Sequence, residues 1–222
     1  MPPSVSTNAL IERLVADVKP VRRLLDPTRR AALWTAVALV FVCLGLAWFG
    51  IRHDIDTAWQ SPDYLLRLAL LVSTMWLSVV TAFRLAVPGR ELRAWTRWWP
   101  IVALGALVAI AAGEVVSGAF FGTMGSPLRA WMCVRKVAFV GTIPAILAVV
   151  LIQRAAALEP RWTALLGVLA AGAAGALTSE LACPIRTPIH IFLWHITPVA
   201  LFGVAGVLVG SVIVLWARRD RR

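Results

Sequence analysis

Two stretches of this sequence carry side chains able to bind a metal or change redox state. The first, "SPLRAWMCVRK" (126–136), holds Cys133; the second, "LACPIRTPIHIFLWH" (181–195), holds Cys183, His190 and His195. Soft thiolates combined with imidazoles suit Zn(II), Cd(II) or Cu(I) in a tetrahedral site. Two thiols in an oxidising compartment have a second option, a disulfide. A third reading is structural: His195 could close a helix end by bonding a backbone carbonyl.

Spacing selects none of the three. There is no CxxC and no HxxxH, and 50 residues separate the two cysteines. Enzyme signatures are missing as well. The chain has no GxSxG, no HExxH and no glycine-rich phosphate loop. A thiol oxidoreductase would want a close dithiol pair in one loop. The sequence therefore predicts no enzyme. Around Cys133, Met132, Arg135 and Lys136 make a basic setting, which favours thiolate but disfavours a bound cation, and so leans toward redox chemistry or a tightly thiolate-bound soft metal.

What positions these residues follows from hydropathy. The 222 residues are 60% hydrophobic, with mean hydropathy +0.81. Residues 31–51 carry no charge, and about 20 apolar residues cross a bilayer as a helix. The prediction is an all-α integral membrane protein with six transmembrane helices at about 31–51, 64–85, 98–119, 136–153, 163–181 and 191–217. They form one membrane domain, 31–217, between a tail of residues 1–30 and a basic tail of 218–222. The first apolar run is too long for a signal-peptide core, so the tail is expected to be retained.

An even number of spans puts both termini on one side. That side holds 16 basic residues and the other 6. By the positive-inside rule both termini face the cytoplasm. The net charge of +11 then orients the chain rather than meeting nucleic acid. Trp59, Trp95, Trp98, Trp99, Trp131 and Trp162 at the span ends suit an aromatic belt. In this frame Cys133 and Cys183 face outward at helix ends, with His190 and His195 near them. Cys43 is expected to be buried mid-membrane in helix one. Glu114 and Glu180 are costly in a bilayer if charged, so they need partners. Arg67 and Arg135 are the nearest candidates.

Helix five is rich in small residues, with Gly167, Ala171 and Gly175 every four positions. Gly203, Gly206 and Gly210 do the same in helix six. Such stripes let backbones approach, either within one bundle or in a homodimer. The sequence has no inverted halves of the kind transporters carry.

The tail, "STNALIERLVADVKPVRRLLDPTRR" (6–30), reads as a short amphipathic helix. Ser6, Thr7 or Asn8 can cap it. Leu10, Ile11, Leu14, Val15 and Val18 fall on one face. Pro20 stops or kinks it. The stripe can dock in a partner's groove. It can equally lie on the anionic lipid bilayer, held by Arg22, Arg23, Arg29 and Arg30.

Taken together these features resemble the NrsF-type multi-pass anti-sigma factors of Gram-negative bacteria, over nearly the whole chain. The tail "LIERLVADVKPVRRLLDP", the loop "FRLAVPGR" (83–90), Cys133 ahead of helix four and "FLWH" with His195 each match the family pattern. Cys183 matches a second outer cysteine found in some members. The resemblance implies an extracytoplasmic-function (ECF) sigma factor as partner, held at the bacterial inner membrane. It implies that the tail binds this partner, through Leu10, Ile11, Leu14, Val15 and Val18 with Arg22 and Arg23. The outer cysteines, with His190 and His195, then sense heavy-metal or oxidative stress. Any cofactor would be a soft divalent metal, Zn or Cd, on Cys133, Cys183 and His195. The rival class is a small transporter or a membrane enzyme handling thiols or metal at the same outer cluster.

Overall fold

The computed structural model describes residues 6–16, 24–89, 95–117, 127–155 and 157–219. Val18, Arg22 and Arg23 of the expected docking face lie outside the described residues. All regular structure among the described residues is helical. In chain order the helices are α1 (Thr7–Ala16), α2 (Pro27–Phe49), α3 (Ile55–Ala58), α4 (Pro62–Leu85), α5 (Trp99–Ser117), α6 (Pro127–Gln153), α7 (Pro160–Ala182), α8 (Pro188–Ile191) and α9 (Thr197–Arg219). A π turn, Phe192–Ile196, joins α8 to α9.

Six helical segments are long and apolar enough to cross a membrane: 27–49, 62–85, 96–117, 131–153, 160–182 and 188–215. The chain is thus an all-α membrane protein. Proline marks many of the starts. Pro27, Pro62, Pro160 and Pro188 sit in the first turns of their helices, where the missing N–H is no loss. Asp26 caps α2 by accepting from the Thr28 amide at 2.9 Å. Gly50, at φ +80°, ends α2 in a conformation that disfavours any side chain.

The bundle is built around α7. Some 89% of its span is buried, against at most 50% for any other. It packs on α9, α6, α4 and α2, and its small residues explain how. A Cβ on Gly175 would run into the Val137 carbonyl of α6, and one on Gly206 of α9 would lie 2.5 Å from the Ala164 carbonyl of α7. Gly167 faces Ile152 and Ala148 of α6. The small-residue stripe is therefore used inside this chain, where α6 and α9 approach the α7 backbone.

Three placements differ from the sequence reading. Helix α6 starts at Pro127, not near 136, so Cys133 lies on the helix rather than ahead of it. Cys43 is exposed on the outer surface of α2, not buried. Arg30 is not a tail residue; it is 3% exposed inside the bundle. Its guanidinium donates to the Leu151 carbonyl and lies 5.0 Å from the centre of the Phe83 ring.

Candidate thiol and metal centre

Four side chains converge at the end of the bundle where α7 finishes. Each is brought there by a local rule. Cys133 comes from the second turn of α6. Cys183 is the residue just past α7, in extended conformation with φ −107° and ψ 119°. The following Pro184 disfavours a helical conformation at this position and so ends α7 there. The Cys183 amide still donates to the Ser179 carbonyl, at 2.9 Å.

His190 and His195 are five residues apart, which on an α-helix would splay them roughly 140°. The π turn removes that problem. The Thr197 amide reaches back five residues to the Phe192 carbonyl, and the wider turn brings the two imidazoles to one side. The rings meet edge to face, with centroids 5.3 Å apart. Pro198 supplies the reason: it has no N–H to offer the Trp194 carbonyl, so an α turn cannot close there.

The resulting cluster is tight and dry. Cys133, Cys183, His190 and His195 are at most 3% exposed. The two Sγ atoms are 3.3 Å apart, and His190 Nε2 is 3.5 Å from each. One ligand atom from each of the four residues fits within a mutual distance of 4.8 Å. His195 turns its Nδ1 to Glu180 Oε1 at 2.9 Å. Its Nε2 is buried without a protein hydrogen-bond partner. Cys183, which lies beyond the helix, is held below the ordinary thiol range. The main cause is the Cys133 S–H donating to it, with His190 and His195 adding to the effect.

Glu180 was expected to pair with arginine, and that expectation is corrected. His195 is its partner, while Arg135 points away and donates to Met132 Sδ at 3.4 Å. The Glu114 expectation is met, with Arg67 Nη1 at 2.6 Å. Lys136 does not face the thiols either. It donates to the Ala182 carbonyl at 3.0 Å. The immediate neighbours of the sulfurs are imidazoles, not the basic residues of the α6 sequence.

The carbonyls ending α7 are accounted for one by one, as a buried helix end requires. Ser179 O takes the Cys183 amide, and Leu181 O takes the Arg52 amide at 3.0 Å. Glu180 O lies 3.4 Å from both Arg52 Nη1 and Tyr64 Oη. Ala182 O takes Lys136. The cations Arg52 and Lys136 also suit the negative end of the helix dipole. Ser179 Oγ donates to the Cys133 carbonyl at 3.0 Å, tying α7 to α6 beside the cluster. These supports were missed in the sequence. Arg52 and Lys136 are visible in the sequence as basic residues beside apolar runs, but their pairing with the end of α7 depends on tertiary packing.

α2 begins at the end of the bundle away from the cluster, where Arg30 meets Leu151 near the end of α6, and α1, ahead of it in the chain, buries none of its residues. Ser6 Oγ caps it, accepting from the Ala9 amide at 3.3 Å. Leu10, Ile11, Leu14 and Val15 are all more than half exposed. Cys43 takes no part in the cluster.

No curated protein and no solved structure matches this chain. One family model does, described as negative regulator of sigma F and spanning residues 14–216, from within α1 to the last turns of α9. The chain belongs to the NrsF family, a family of negative regulators of a sigma factor.

Proposed function

We propose that this protein holds an ECF sigma factor at the cytoplasmic face of the bacterial inner membrane and releases it when the cluster at the outer face is chemically modified. The tail ahead of α2 is the docking element, with Leu10, Ile11, Leu14, Val15 and Val18 as anchors and Arg22 and Arg23 beside them. Residues 31–217 anchor it and carry the sensor. Cys133 and Cys183, with His190 and His195, take up the signal, either a soft metal or an oxidant that joins the thiols.

The observation that carries this reading is the separation of two sites along one bundle. A buried thiol and imidazole cluster closes one end, and the chain enters α2 at the other, preceded by a helix with an unburied apolar stripe. The positive-inside bias supports placing the termini in the cytoplasm. An exposed amphipathic helix offers anchors at the spacing that grooves accept.

Purification of the tagged full chain from detergent extract tests the reading. An ECF sigma factor should co-purify, and Cd(II) or an oxidant should release it. Capture of no sigma factor, with the chain intact in the membrane fraction, overturns the proposal.

A further inference from the structure

We propose that Cys133, Cys183, His190 and His195 form a closed four-coordinate site for a thiophilic divalent ion, Zn(II) or Cd(II), and that Glu180 is the positioning residue which aims His195 at it. This deepens the sensor reading above and rests on it for its biological purpose, though not for its chemistry.

The distances carry the case. With Zn–S near about 2.3 Å and Zn–N near about 2.0 Å, a tetrahedral angle sets S···N at about 3.5 Å and S···S at about 3.8 Å. His190 Nε2 lies at 3.5 Å from both sulfurs. The sulfurs, at 3.3 Å, need to part only slightly. The fourth donor is His195 Nε2, which is buried with no protein hydrogen-bond partner. Its ring is fixed because Nδ1 faces Glu180 Oε1. A carboxylate on the far nitrogen sets the tautomer and raises the basicity of the ligating one.

A disulfide explains less of this arrangement. It would use the two sulfurs and leave both imidazoles, the π turn and the buried glutamate without a task. Coordination uses every group. With one proton on Cys133 and one shared between Cys183 and His195, entry of M(II) releases both to solvent, so the buried site keeps its total charge. That equality matters where water is excluded, because a change of net charge there is expensive. With four protein donors the site has no open position, which suits holding an ion rather than catalysis.

The test uses the purified full chain in detergent, anaerobic and reduced, with Co(II) as the spectroscopic probe. One Co(II) per chain should bind, with thiolate-to-cobalt charge transfer and the intense visible bands of a tetrahedral ion. Zn(II) or Cd(II) should displace it. Cys133→Ser and Cys183→Ser should each lose about half of the charge-transfer intensity, while Cys43→Ser should match the wild type. His195→Ala should convert the visible bands to the weaker pattern of a higher-coordinate, water-bound ion. Glu180→Gln, which keeps an acceptor for Nδ1, should leave the saturated spectrum unchanged but weaken binding roughly 10-fold.

Absence of a tetrahedral spectrum with all three thiols reduced overturns the site. A wild-type spectrum in both His190→Ala and His195→Ala removes the imidazoles from it. Unchanged affinity in Glu180→Gln removes the positioning role. If an alanine variant does not fold, Glu180→Gln and the two serine variants decide. No sigma factor is present in this assay, so a bound ion with no sigma capture would overturn the anti-sigma reading alone.

Discussion

At the cluster end of the bundle the four candidate sensing side chains are at most 3% exposed, whereas at the tail end Leu10, Ile11, Leu14 and Val15 are 51–67% exposed. The two ends are built for different physical tasks. Metal or thiol chemistry gains from excluding water, since each charge–charge term strengthens there. Partner capture needs apolar surface that is still free to be buried. The cluster end is also fastened, by Arg52, Lys136, Tyr64 and Ser179 around the end of α7. The tail helix has no buried residue to fasten it.

The sharpest way to break this contrast is at the tail. Leu14→Asp places a carboxylate in the proposed interface. Burying it unpaired should cost several kcal/mol of binding, at least about a 100-fold loss. Sigma-dependent transcription should become constitutive with the protein still in the membrane. Repression that survives Leu14→Asp would move this stripe from partner to lipid surface.

The next effect lies at the opposite end. Cys133→Ser and Cys183→Ser should each abolish induction by Cd(II) or oxidant while basal repression stays. The double variant should be no worse than either single one, because both cysteines serve one site. Cys43→Ser should respond like the wild type, since this thiol is on the outer surface of α2 and outside the cluster. A normal response in both cluster single variants would end the division of labour between the two ends.

Between the ends runs the contact of α6 with α7. Gly175→Ala puts a methyl group against the Val137 carbonyl, one turn past Cys133. Overpacking of this kind costs typically about 1–3 kcal/mol. Thermal unfolding in detergent should fall accordingly, and the Co(II) spectrum should broaden as Cys133 shifts. An unchanged melting temperature would mean that α6 and α7 can part without loss, which would make the cluster end as loose as the tail.

How much of this was legible in the sequence differs by scale. Apolar runs bounded by arginine and proline reveal the crossings, because a bilayer imposes length and apolarity directly. Helix faces were less legible. A membrane helix is apolar toward lipid and toward protein alike, so hydropathy could not tell that Cys43 faces outward or that Arg30 turns inward. The start of α6 was hidden by Arg129, Arg135 and Lys136, which read as a loop although Pro127 marks a helix start. The four cluster residues were visible by type and as lying near span ends on one common face. Their convergence was not, since it depends on the π turn ahead of Pro198 and on the Glu180–His195 pair. Both arise only once α7, α8 and α9 pack together.

The smallest predicted effect concerns a second fastening of the cluster end. Asp54 accepts from Arg52 Nε at 2.6 Å and from Arg186 Nε at 2.8 Å, so it joins the residues after α2 to the loop that carries Cys183. The hydrogen bond from Arg52, and then the charges of Arg52 and Arg186, hold its carboxyl well below the ordinary carboxylate range. A group whose folded value is lowered stabilises the fold above its unfolded value, near about 3.9 for Asp, and loses that contribution as pH falls toward the folded value. The Asp54 side chain is 24% exposed, so solvent screening keeps its worth to about 1 kcal/mol or less. The melting temperatures of wild type and Asp54→Asn should differ by a constant small amount from about pH 7 to pH 5, and converge as pH drops well below 4. The Co(II) spectrum should not change, because Asp54 touches neither sulfur nor imidazole. A difference that widens toward low pH would show that the carboxylate is not what holds this loop, and that Arg52 acts at the cluster end through the α7 carbonyls alone.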